Sequence, residues 1–250
     1  MGLRTQKEGV VPTNGIVAVI PAKLTSVRLP FKNLADLDGF PMFFYSVKAA
    51  QLCGEIDDVY VSSEASEVLE LAVKYGAQAI LRPEELSAPH VSNLDVLRHA
   101  LNEITKRRGV SPELMILLQP THPLRQPQKI SEGIAQMCQD HDADTLLTVV
   151  RTDELRGEIS GGRYIPEFPL PRDKKMEPEL YRSTGSFYIF RVASTIAKRR
   201  LFTRSILPFV LDRPDFEVDV DVASDLSLTR CVLEANREVF SALFDGTPSI

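Results

Sequence analysis

The chain reads as an α/β protein, a mainly parallel sheet with helices on both faces. Continuous apolar or β-branched runs at 16–21, 114–118 and 145–150 are of the kind that fill strands buried on both sides, and D-D-V-Y-V-S-S at 57–63 reads as a further short strand. Segments of helical period lie between them, the alternation that builds such a sheet. Polar, proline-punctuated loops leave several strand ends, where ligands of open α/β sheets bind.

The first strand, I-V-A-V-I-P, breaks at Pro21 into a loop carrying Lys23, Ser26, Arg28, Lys32 and Asn33. Cations, a hydroxyl and an amide at one strand end suit an anionic nucleotide, although basic loop residues also occur on any solvated surface. Residues 41–54 predict a helix, with Pro at its start and Gly past its end. A strand at 57–63, a helix at 66–75 closed by Gly76, and a strand at 78–81 follow. Residues 93–106 predict a helix whose Leu94, Leu97, Leu101 and Ile104 share one face, with Ser92 as N-cap and Asp95 completing a short-acid capping box. The strand at 114–118 ends in the polar turn Q-P-T-H-P-L-R; a helix at 130–138 and a strand at 145–150 come next.

Between 151 and 181 no period is sustained, and G-G, repeated prolines and R-D-K-K mark an excursion from the sheet. Residues 181–190 return to strand alternation. In F-E-V-D-V-D-V, from 216 to 222, strand geometry predicts Glu217, Asp219 and Asp221 on one face and Val218, Val220 and Val222 on the other. Such a carboxylate row repels itself unless a cation sits in it; it suits Mg²⁺, or it guards an exposed edge strand.

The 250 residues suit one domain at 16–250 behind a flexible extension at 1–15. A net charge of -5 argues against nucleic-acid binding, and no apolar run approaches the roughly 20 residues of a membrane helix. The N-terminus lacks a signal-peptide core, which predicts a cytoplasmic protein. Cys53, Cys138 and Cys231 are widely spaced and indicate neither a disulfide framework nor a zinc site. G-x-G-x-x-G and the Walker loop are absent, against dinucleotide-dependent dehydrogenase and ATPase readings.

The first loop, I-P-A-K-x-x-S-x-R-x-P-x-K-N, resembles the N-terminal signature of the CMP-N-acetylneuraminate synthetase family, cytidylyltransferases that activate sialic acid and related 3-deoxy sugar acids. The resemblance continues in order through Arg82-Pro83 with S-x-x-D from Ser92, L-L-Q-P-T-H-P-L-R, Y-R-x-x-G from Tyr181, and V-D-V-D ending at Asp221. It covers about 16–233, and L-P-F-V at 207–210 resembles a G-P-Y-V turn of the family. This chain has Lys23 where the family usually has Arg, Leu24 and Thr25 for two glycines, Ser63-Glu64 for T-D, His122 for Ser, and Thr184 for an amide residue.

The resemblance implies a nucleotide-diphospho-sugar transferase-like fold and Mg²⁺-dependent transfer from CTP to a 3-deoxy-2-ketosugar acid, giving a CMP-sugar and pyrophosphate. It implies phosphate neutralisation by Lys23, Arg28 and Lys32, and metal binding by Asp219 and Asp221. Ala22, Ser26, Asn33, Arg82 and Ser92 fall around the nucleotide; Gln119, Arg125, Arg172, Tyr181 and Thr184 fall around the sugar acid, with Lys174 or Lys175 as further candidates. It also implies that 151–181 is a dimerisation arm of a homodimer. The departures leave open a same-fold enzyme with another acceptor or nucleotide, and a catalytically silent binding homologue.

Overall fold

The computed structural model describes residues 14–154, 156–167, 179–213 and 216–245. In chain order they form β1 (Ile16–Pro21), β2 (Asp36–Leu37), β3 (Phe40–Pro41), α1 (Met42–Gln51), β4 (Asp58–Ser63), α2 (Ser66–Lys74), β5 (Gln78–Leu81), α3 (Asn93–Arg108) and β6 (Leu114–Leu117). Then come α4 (Pro127–Gln139), β7 (Thr145–Arg151), β8 (Gly157–Ser160), β9 (Arg163–Pro166), β10 (Tyr181–Arg191), β11 (Ile206–Val210) and α5 (Ala223–Ala235).

Seven strands make the central sheet in the order β11-β7-β10-β6-β1-β4-β5. Neighbours pair in parallel, except that β10 runs antiparallel to both β6 and β7. β1 is buried on both faces, as its unbroken apolar run requires. Ile16, Ala18 and Ile20 face the larger core with α1, α2, α4 and α5, while Val17 and Val19 face Leu97, Leu101 and Ile104 of α3. In α1, Phe43, Phe44 and Tyr45 are fully enclosed; burying such a side chain contributes about 1.5–3 kcal/mol.

The chain leaves β1 toward β4 and β5, then returns to lay β6 on the other flank of β1. The β1–β6 boundary is therefore the switch point of the sheet, where the loops diverge and a crevice opens. Because β10 is reversed, its N-terminal end lies at the same sheet edge as the C-terminal ends of β1, β4, β5 and β6.

Two local expectations are corrected. Residues 217–222 form no strand: only Val220 of the three valines is fully buried, and Val222 is 37% exposed as the N-cap of α5. The segment is held through Val220 N–H, which donates to Thr121 O at 2.8 Å, a bond outside any ladder. Residues 207–210 lie in strand β11, not a turn; Pro208 is tolerated because β11 is an edge strand. The excursion contains the exposed β8–β9 hairpin, closed by Gly161 and Gly162 at φ +57° and +74°, values that favour glycine. Gly15, counted by sequence with the extension, accepts a backbone bond from Glu113 N–H. Arg172, Lys174 and Lys175 lie outside the described residues.

Candidate active site

An open cleft of about 170 Å³ lies at the switch point, lined by Lys23, Lys32 and Asn33 of the first loop, Arg82 after β5, Asn93 opening α3, and Gln119 after β6. The first loop is shaped from within. Buried Asn33 donates from Nδ2 to Lys23 O at 2.8 Å, and Ala22 N–H bonds Ser62 O at 2.9 Å, tying the loop's root to β4. Phe31 at φ +54° turns the chain so that Lys32 heads the short helix that follows. Lys32 Nζ then reaches Asp221 Oδ1 at 2.8 Å, and Arg28 Nη2 reaches Asp221 Oδ2 at 2.7 Å. Ser26 is half-buried in the same loop.

Arg82 is buried, bonding Ser87 Oγ through Nε at 2.9 Å and Glu64 Oε2 through Nη2 at 3.0 Å. Ser92 is exposed and caps α3: its Oγ accepts from Asp95 N–H at 3.2 Å and donates to Asp95 Oδ2 at 2.6 Å. Its hydroxyl is thus engaged by the helix end, and its neighbours Val91 and Asn93 line the cleft.

In the Q-P-T-H-P-L-R loop, Arg125 is fully buried. Nε donates to Ser186 O, Nη2 to Gln119 O, and Nη1 to Ser46 Oγ at 2.8 Å, joining β10, the loop and α1. Burial pulls its pKa down to about 9, so it stays charged at neutral pH. The guanidinium expected to meet the sugar acid or phosphates instead organises the loop from beneath. His122 is also buried, its Nδ1 3.7 Å from Asp219 Oδ1 and 3.3 Å from Thr121 Oγ1. Burial, with the Arg125 charge beside it, holds His122 down at about 3 and therefore neutral. Its ring occupies space left by Gly185 in the β10 bulge: a Cβ there would lie 2.8 Å from His122 Cε1.

The acidic segment divides into three environments. Glu217 is pushed upward by burial, opposed by Thr184, the Arg125 charge and Ser186, and its Oε2 is buried without a hydrogen-bond partner among the described residues. Asp219 is raised by burial and by repulsion from Asp221, against a hydrogen bond from Thr121. Burial also pushes Asp221 upward, but the bond to Lys32 and the charges of Lys32 and Arg28 outweigh it and hold the carboxyl low. Thr184 Oγ1 lies 2.8 Å from Thr148 Oγ1.

The structure thus gathers Lys23, Arg28, Lys32, Asn33, Arg82, Gln119, Asp219 and Asp221 at one sheet edge. Tyr181 stands apart from that cluster, 44% exposed, its OH donating to Glu179 Oε2 at 2.7 Å. Sequence reasoning passed over Glu64, Ser87, Asn93 and Thr121. Glu64 and Thr121 sit inside motifs that were read; what they hold depends on contacts distant in sequence.

A family model described as Cytidylyltransferase matches residues 17–237. The chain is 28% identical over 234 residues to CMP-N,N'-diacetyllegionaminic acid synthase of Legionella pneumophila, covering 89% of this chain and 98% of that protein. Pseudaminic acid cytidylyltransferase of Campylobacter jejuni is 27% identical over 232 residues, covering 89% and 97%. N-acylneuraminate cytidylyltransferase of Streptococcus agalactiae is 27% identical over 218 residues, and the chain spans about half of that longer relative, 51%. Among solved structures, a CMP:2-keto-3-deoxy-manno-octonic acid synthetase complexed with CTP superposes with a TM-score of 0.66 at 18% identity, covering 88% of this chain and 99% of that one. That likeness shows the shared fold.

Proposed function

Because the chain belongs to the cytidylyltransferase family, we propose that it activates a sialic acid-like 3-deoxy-2-ketosugar acid with CTP. The hydroxyl oxygen of the acid bonds to the α-phosphorus, the bond from that phosphorus to the bridging oxygen breaks, pyrophosphate leaves, and the hydroxyl proton is released. The relatives named for legionaminic, pseudaminic and N-acylneuraminic acids support this acceptor class. The observation that carries the reading is the meeting of Lys32 and Arg28 with Asp221, beside Asp219, at the mouth of the switch-point cleft.

Transfer at phosphorus depends mainly on placement and charge neutralisation. Lys23, Arg28 and Lys32 take the triphosphate charge. Ala22, Ser26, Asn33, Arg82 and Ser92 surround the cytidine end. Gln119 and Thr184 border the sugar acid beneath neutral His122, and Arg125 holds their loop and strand in register. Contacts of Tyr181 and Arg172 with the acid rest on the Y-R-x-x-G and arm resemblance.

Asp219 and Asp221 fit the divalent cation that the family implies. They are hard oxygen donors, and Asp219 has a half-exposed carboxyl raised partly by repulsion from Asp221, the repulsion a cation relieves. Among the described residues no group of three or more metal-ligating side chains stands ready to hold an ion alone. That suits Mg²⁺, which takes one or two carboxylates and completes its shell with phosphate oxygens and water. When bound, it neutralises charge on the α-phosphate and lowers the pKa of the acceptor hydroxyl.

A homodimer is the proposed assembly, supported by the exposed Ile159, Tyr164 and Ile165 of the β8–β9 hairpin. The proposed compartment is the cytoplasm; among the described residues no helix is long and apolar enough to cross a membrane. The test is pyrophosphate release from CTP and Mg²⁺ with a panel of 3-deoxy-2-ketosugar acids, beside Asp219→Asn and Asp221→Asn. Release with one acid, lost in both variants, is expected. Release with none, from folded protein that binds CTP, would overturn the acceptor class.

A further inference from the structure

We propose that Glu64 is a positioning residue that assembles the two halves of the nucleotide site on one carboxylate; this rests on the cytidylyltransferase reading above. Its Oε1 accepts from Leu24 N–H in the first loop at 2.8 Å. Its Oε2 accepts from Arg82 Nη2 at 3.0 Å and from Ser87 Oγ at 2.5 Å. The side chain is only 12% exposed. The loops after β1, β4 and β5 therefore converge on one group, each bond closing 18 to 40 residues of chain. Burial pushes the Glu64 carboxyl upward, but Ser87, the Leu24 amide and the Arg82 charge outweigh it and keep it ionised.

Two consequences reach the cleft. Arg82 uses Nε and Nη2 on Ser87 and Glu64, and Nη1 makes no hydrogen bond with the described residues. Since Arg82 lines the cleft, Nη1 is the donor left for a nucleotide acceptor. In the first loop, Leu24 and Thr25 lack the backbone freedom of glycine. A loop of that composition takes its shape from a tether, and the Leu24–Glu64 bond supplies one.

All three partners of Glu64 are donors, so only a carboxylate accepts from all of them. In Glu64→Gln the amide nitrogen turns a donor toward a donor. In Glu64→Asp the side chain is shorter by about 1.5 Å, enough to keep Arg82 and Ser87 or Leu24 but not both sets.

The experiment is calorimetric titration of CTP into wild type, Glu64→Gln and Glu64→Asp, with initial rates at varied CTP and varied acceptor. Circular dichroism and melting curves establish that each variant is folded at the assay temperature. The expected result is a CTP dissociation constant raised about tenfold or more in Glu64→Gln, an intermediate rise in Glu64→Asp, and an unchanged KM for the sugar acid. A merely structural role would raise both KM values alike or lower the active fraction alone, and either result overturns the proposal. So does Glu64→Gln binding CTP as tightly as wild type. Wild type that ignores CTP but binds another nucleotide removes the cytidine reading and leaves Glu64 to be judged by the same ratio for that nucleotide. Wild type that binds no nucleotide overturns both.

Discussion

Lys32 Nζ and Asp221 Oδ1 lie 2.8 Å apart although 189 residues separate them in the chain, and Arg28 closes on the other oxygen of the same carboxylate at 2.7 Å. The cations proposed for phosphate and the carboxylate proposed for metal thus neutralise one another across the mouth of the cleft. Asp221 is partly exposed, and exposed ion pairs contribute about 0–1 kcal/mol. The contact therefore matters more for where the groups are held than for how firmly the chain folds.

From that follows a separation of stability from activity. Asp221→Asn is expected to lower pyrophosphate release at least about a hundredfold while lowering stability by no more than about 1 kcal/mol. Parallel melting and rate measurements check this, and a variant that stays active would remove the metal assignment.

Arg125 predicts the opposite balance. Arg125→Met leaves the Ser186 carbonyl and the Ser46 hydroxyl without their buried donor, while Gln119 O keeps the bond from His122 N–H. Buried groups left unsatisfied cost about 1–3 kcal/mol each, so a total loss of about 3 kcal/mol is expected. At about 2–4 °C per kcal/mol for a chain of this size, the melting midpoint falls by about 6–12 °C.

Gly185 tests the packing of His122. Gly185→Ala is strained at φ +106° and brings Cβ to 2.8 Å from His122 Cε1; left-handed strain costs about 1–3 kcal/mol. Adding His122→Ser is expected to recover the part due to the ring and leave the part due to the backbone. A double-mutant cycle by denaturant unfolding separates the two, and strict additivity would show that the ring does not fill the space beneath Gly185.

His122 also sets a pH dependence. Its folded pKa of about 3 lies below the ordinary value of 6.5, so the unfolded chain binds the proton more readily. Stability is therefore lost as pH falls from about 6.5 toward about 3, roughly 2 kcal/mol by pH 5. Glu217 and Asp219 are shifted upward and act with the opposite sign, gaining stability on acidification. The His122 share is isolated by subtracting the curve of His122→Asn: wild type should lose stability relative to that variant between pH 7 and pH 5, and parallel curves would contradict the shift.

Much of the fold was legible because each element carries its own period. The strands at β1, β4, β5, β6, β7 and β10 and the helices from α1 to α4 follow local patterns of apolar residues, and burial on both faces leaves those patterns little alternative. The acidic segment misled because alternation alone does not make a strand; a strand needs a neighbour with free backbone groups, and here Val220 finds only Thr121 O. The edge strand β11 was hidden for the converse reason: the resemblance implied a turn at 207–210, while β7 offered a partner.

By itself the sequence determined the α/β class, the order of the motifs and the residue types of the cleft, because periodicity and strand-end loops are local properties of a chain. Only the tertiary structure decided what each polar group does. Arg125 lies beneath the loop, Glu64 joins three loops and Lys32 meets Asp221. Burial and partner choice are set by residues 18 to 189 positions away, and no local pattern encodes them.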